Sequence, residues 1–212
     1  MKYILIIVAG FILSSCASSQ SKAPDTTGYG LRYAYYSENQ NKLAGHVEPG
    51  MRLVFPAIPG KLFGVPTRDL VYTTVPESVD RFSLILPANM DSRAAKLDER
   101  SLKIEPSHTK LVRLGTFHIL PRYKEDYIGG GGFRDGNNGN HYILVYFSGA
   151  AELTGQLVYG AEVYSHNIVV NKGGWHWIQI SKTAPDVFEL TAYSGDTGQI
   201  ELFLPLVGAI DV

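Results

Sequence analysis

The sequence predicts an all-β protein: an antiparallel β-sandwich or meander of about ten strands, with at most one short helix near 90–100. Three observations carry this. Past the first 30 residues the apolar pattern has a period of two and is rich in Val, Ile, Tyr, Phe and Thr. Short apolar runs are separated at close intervals by Gly, Pro and Asn clusters. Only residues 90–100 (MDSRAAKLDER) have a helical composition, and they could form a few turns at most.

The candidate strands are 31–36, 51–55, 70–75, 81–86, 101–105 and 110–119 in the first half of the chain. In the second half they are 141–147, 156–170 broken at Gly160, 175–181, 187–194 and 199–204. The clusters NKGG at 171–174 and GDTG at 195–198 read as hairpin loops. Eight of the 11 prolines lie between Pro49 and Pro121, and none lies from 122 to 184. Proline cannot donate to a strand ladder. The half 29–121 is therefore expected to be looser, and 141–206 to be a regular antiparallel meander. No linker divides 29–212, so one β domain is expected there.

Composition excludes several function classes. Lys+Arg 19 against Asp+Glu 20 gives a net charge of -1, so the basic surplus of a nucleic-acid binder is missing. Hydrophobic residues make up 45%, too many for extended disorder. A single cysteine allows no disulfide within the chain.

The N-terminus carries the strongest motif. Lys2 is followed by an apolar run from Tyr3 to Leu13, then by Ser14, Ser15 and Cys16. Charge, apolar core and small residues form the layout of a secretion signal. The sequence Leu13-Ser14-Ser15-Cys16 resembles the lipobox of bacterial lipoproteins. That resemblance implies cleavage before Cys16 and lipidation of Cys16 by fatty acyl chains such as palmitate. Residue 17 is Ala rather than Asp, which by the same resemblance implies the outer membrane. Residues 1–15 are then a signal peptide and 16–28 a lipidated tether. The polar stretch 17–28 spans roughly 20 Å on average, so the folded body stays close to the membrane.

The remaining motifs are weaker. Residues 129–140 (GGGGFRDGNNGN) read as a solvated loop between strands, since Gly and Asn are favoured turn residues. They offer hard oxygens but fit neither calcium-loop spacing. His46, His108, His118, His141, His166 and His176 show no helical metal-ligand spacing, so no metal and no cofactor are assigned. Ser107-His108-Thr109-Lys110 matches S-x-x-K, but Pro106 and an extended run do not supply the helix start that this chemistry needs.

Trp175 and Trp177 are the only tryptophans, and on a strand they share a face with Gln179. With Ile178 and Ile180 directed to the core, both tryptophans face outward. With Tyr142 and Tyr146 of a neighbouring strand, they would form an aromatic face for a ligand or partner. The competing reading buries both faces, beneath a second sheet and a loop from the first half.

The function expected from the sequence is a lipid-anchored envelope protein, working without catalysis as a binding or structural module. Its partner would be a protein complex or a polysaccharide, and its membrane contact the lipid anchor. The alternative is a small carbohydrate-active hydrolase of the envelope, with two carboxylates brought together by folding.

Overall fold

The computed structural model describes residues 33–37, 42–46, 51–63, 71–73, 75–78, 81–114, 117–121, 129–135, 139–195, 197 and 200–203. Cys16, the signal segment and the tether lie outside the described residues.

The described residues form seventeen strands. In the first half these are β1 (Tyr33–Ser37), β2 (Lys42–His46), β3 (Met51–Pro59), β4 (Val71–Thr73), β5 (Val75–Ser78), β6 (Arg81–Ile85), β7 (Ala95–Lys96), β8 (Leu102–Glu105), β9 (Lys110–Leu114) and β10 (Phe117–Pro121). The second half supplies β11 (Gly129–Asp135), β12 (His141–Phe147), β13 (Ala151–Tyr159), β14 (Glu162–Val170), β15 (Gly174–Ala184), β16 (Val187–Ala192) and β17 (Ile200–Phe203). The all-β expectation is met. The one short helix that the sequence allows near 90–100 does not form: residues 90–94 make a single turn, in which the amides of Arg93 and Ala94 both donate to the Met90 carbonyl at 2.8 Å. β7 then follows at once, because Ala95 and Lys96 pair with Leu111 and Lys110 of β9. Isolated short helices are marginal, so the pairing wins.

A four-stranded sheet runs β1-β2-β6-β5. The larger sheet runs β17-β11-β10-β3-β9-β12-β15-β16-β14-β13-β8, with β4 and β7 attached to β3 and β9. Two cores lie on either side of its central strands. Successive side chains on a strand point to opposite faces. In β12, Tyr142, Leu144 and Tyr146 enter the first core, while Val145 and Phe147 enter the second. β9 divides in the same way, with Val112 and Leu114 in the first and Leu111 in the second. In β15 Trp177 enters the first core and Ile178 the second. These three strands are therefore apolar on both faces.

The first core is a sandwich. Phe82 and Leu84 of β6, together with Leu86 and Met90 beyond it, close over Leu53, Phe55, Phe117, Phe133 and Trp177. The second core is wrapped by one curled sheet. Seven neighbouring strands, β9-β12-β15-β16-β14-β13-β8, all send alternate residues into it, from Leu111 of β9 to Leu102 and Ile104 of β8. Leu62 fills it from the connection after β3.

The second half is not a regular meander. β13 and β14 form the hairpin expected from the break at Gly160, and β15 and β16 pair antiparallel. The NKGG segment, however, joins β14 to β15 without pairing them. β16 lies between the two, antiparallel to β15 and parallel to β14. The segment at 195–198 is no hairpin either, because β17 leaves β16 and pairs with β11. Turn residues report that the chain reverses, but not which strand it then pairs with.

Residues 129–135 are likewise a strand rather than a loop. β11 pairs with β10, β12 and β17. The reversal comes at its end, where the amide of Asp135 donates to Asn140 O at 2.9 Å and that of Gly139 donates to Asp135 O at 3.0 Å. Ladder hydrogen bonds and burial of Phe133 outweigh the entropic cost of ordering glycine.

Candidate functional site

The aromatic face expected at Trp175, Trp177, Gln179, Tyr142 and Tyr146 is not exposed. Trp177 is 3% exposed and Tyr142 2%, both within the first core. The Trp177 ring meets Phe133 edge-on at 4.8 Å between centroids. Trp175 is half-buried, and its Nε1–H donates to the Pro87 carbonyl at 2.8 Å. The Tyr146 hydroxyl donates to Asp91 Oδ1 at 2.8 Å. Gln179 donates to Ser181 Oγ at 2.8 Å. The structure brings these five residues onto one face of β12 and β15, but residues 86–94 bond to Trp175 and Tyr146, and Phe133 and Tyr193 pack against Trp177 and Tyr142. An outward-facing pair of tryptophans presumes a sheet with one buried face, whereas β15 has two.

The S-x-x-K segment offers no site. Ser107 and Lys110 are both exposed, and the Lys110 amide donates to Ser148 Oγ at 2.9 Å. Among the described residues no group of three or more His, Cys, Asp or Glu could hold a metal ion. Glu105 and Glu152 stand opposite each other on β8 and β13, but both are exposed, and Lys103 binds Glu105 at 3.1 Å.

The chemistry-bearing residues collect instead at one end of the second core. Arg113 occupies an inward position of β9, two residues after Leu111, and is 8% exposed. Its Nε has no hydrogen-bond partner. Burial pulls its pKa down to about 10, against the attraction of Glu99 and the Tyr159 hydroxyl. The guanidinium thus stays charged at neutral pH. Glu99 is pushed up by burial, and the Leu62 and Phe63 amides and the Lys61 and Arg113 charges partly offset this. The Leu62 amide approaches Glu99 Oε2 at 3.5 Å, so this carboxylate steadies the segment that crosses the end of the core.

Aromatic rings complete the arrangement. Phe63 lies 4.7 Å from Tyr164 and 5.7 Å from Tyr159 between centroids. Tyr164 stacks on Phe188 at 4.9 Å. The Tyr164 hydroxyl donates to Glu162 Oε2 at 2.6 Å, and its pKa is pushed up to about 12, first by burial and then by Glu162. Tyr159 is 44% exposed and brings the cluster to the surface. His166 lies beneath Phe63, ring edge to face at 5.9 Å. It is 4% exposed, and neither ring nitrogen makes a well-formed hydrogen bond.

None of Arg113, Glu99, Tyr159, Tyr164 and His166 stands in a recognisable sequence motif. The one available signal is Arg113 itself, a charge inside the apolar strand KLVRL. Alternation alone cannot place it, because Leu111, Val112 and Leu114 supply apolar neighbours on both faces.

Burial lowers the pKa of His166, with the Tyr164 and Gly155 carbonyls opposing. The unfolded chain takes up a proton near the usual histidine value of about 6.5, while the folded chain resists until a lower pH. Stability from this residue is complete above that value and is lost as pH falls from it toward the folded pKa. His118 and His141 are lowered by burial too and act in the same direction. In His166→Leu, the fall in urea-unfolding free energy between neutral and mildly acid pH is expected to be smaller, by up to about 1.4 kcal/mol per pH unit. An unchanged slope would show that His166 does not resist protonation in the fold.

Comparison with family models, with curated proteins and with solved structures returns no match.

Proposed function

We propose that this chain is a lipid-anchored protein of the bacterial envelope, held at the outer membrane. Its β body serves without catalysis as a binding or structural module for a protein complex or a polysaccharide. One observation carries the reading: the single cysteine of the chain stands at position 16, directly after an apolar run and two serines. No other cysteine competes for the modification or could pair with it. One acyl chain binds a membrane only marginally, whereas two or more anchor it durably, at about 0.8 kcal/mol per buried methylene.

The tether fits this role. A polar stretch of roughly 20 Å average reach keeps the body beside the bilayer and limits it to partners at that level of the envelope. The end of the second core is the part of the body best suited to binding, since it combines rings, a buried cation and partial exposure.

Expression in a two-membrane bacterium fed labelled palmitate tests the anchor. The wild-type chain is expected to carry label and to fractionate with the outer membrane. Cys16→Ser is expected to carry none and to leave that fraction. An unlabelled wild-type chain, or a Cys16→Ser chain that stays in the membrane fraction, would overturn the reading.

A further inference from the structure

We propose that Arg113 anchors a ligand site at the end of the second core, and that the site takes an organic monocarboxylate with an apolar or ring-shaped body. The inference deepens the reading of the body as a binding module, and its test does not involve Cys16.

The argument starts from an unmet charge. A buried cation is tolerated when it is paired and hydrogen-bonded, and is costly otherwise. Arg113 is 8% exposed, its Nε lacks a partner, and among the described residues no carboxylate forms an ion pair with it. Glu99 attracts it from a distance, but that carboxylate faces the Leu62 amide. The nearby Lys61 ammonium is held by Asp98 at 3.4 Å. A planar guanidinium in this state matches a carboxylate in shape and charge. Because the Glu99 charge already acts on the same guanidinium, one negative charge suits the site better than two.

The surroundings specify the rest of the ligand. Phe63, Tyr159 and Tyr164 gather with ring centroids 4.7 to 6.1 Å apart, and the Tyr159 hydroxyl acts on the Arg113 guanidinium. Rings of this kind pack on flat or apolar bodies. Tyr159, at 44% exposure, marks where a ligand enters. His166, below Phe63, adds a second buried polar side chain whose ring nitrogens lack good partners.

The test uses the full-length chain in mild detergent, titrated calorimetrically with sodium benzoate. Benzamide serves as the uncharged control and inorganic phosphate as the control without a ring. Saturable benzoate binding is expected, with neither control matching it. Arg113→Met is expected to bind benzoate roughly ten- to a hundredfold more weakly, the loss of a charge-assisted hydrogen bond. Its thermal midpoint in plain buffer should not fall, because an unpaired buried charge has been removed. Tyr159→Ala alters a partly exposed ring and is expected to fold normally and bind several-fold more weakly. Absence of saturable benzoate binding, equal binding of benzamide or phosphate, or unchanged affinity in Arg113→Met would each overturn the proposal. If Arg113→Met does not fold, Tyr159→Ala decides, and unchanged benzoate affinity there overturns it.

Discussion

Trp177→Ala is expected to destabilise the protein by about 3–5 kcal/mol, the usual cost of emptying a large aromatic site in a core. The ring is 3% exposed and meets Phe133 and Tyr142 edge-on, at 4.8 and 6.4 Å between centroids. Its removal opens a space between the two sheets of the first core that the strand backbones cannot close. Urea unfolding followed by far-ultraviolet circular dichroism measures the loss. Trp175→Phe is the comparison. It keeps most of the packing and gives up the bond to the Pro87 carbonyl, so about 0.5–1.5 kcal/mol is expected. Were these tryptophans an exposed binding face, both changes would fall within about 0.5 kcal/mol of wild type.

Gly155→Ala is expected to be as disruptive, through the backbone. Gly155 has φ +124°, a conformation that side chains rarely adopt. It pairs with Leu102 of β8 on one side and His166 of β14 on the other. An added Cβ would fall on the Ser101 carbonyl oxygen and lie 3.1 Å from Leu102 Cα. Both obstacles are backbone, so β8 must move away. Overpacking and a strained φ together predict a loss of about 2–5 kcal/mol. Hydrogen exchange should quicken first at the amides of β8 that bond to β13. Gly149→Ala is the control, since its Cβ meets nothing within 4 Å, and it should be near neutral. Equal effects of the two substitutions would remove the steric argument.

Period-two alternation made most strands legible, though not β2, β7, β11 or residues 151–155 of β13, and the Gly160 break located the β13–β14 hairpin to within a residue or two. What alternation could not convey was partnership. The NKGG turn is where the sequence places it, yet β14 and β15 are held apart by β16, because pairing is decided by strands distant in the chain. The glycines of β11 show the converse: turn composition misread as a loop what three neighbouring strands hold extended. The tryptophans were misdirected for a related reason. Ile178 and Ile180 do face a core, but so does Trp177, and a strand between two cores has no outward side to infer. The end of the second core left almost no trace in sequence. Arg113, Glu99 and Tyr159 come from separate segments of the chain, and only the charge of Arg113 inside KLVRL hints at the site.

The position of β16 bears on how this chain can assemble. A polypeptide that has emerged only as far as residue 186 lacks the strand that pairs with both β14 and β15, so the rims of the slot that β16 fills in the full fold are left with unanswered amides and carbonyls. Such rims invite pairing with another molecule. The last strand of the curled sheet must enter this slot from the C-terminal side, so products truncated before Val187 are expected to associate with one another, while chains reaching Ala192 can seal themselves.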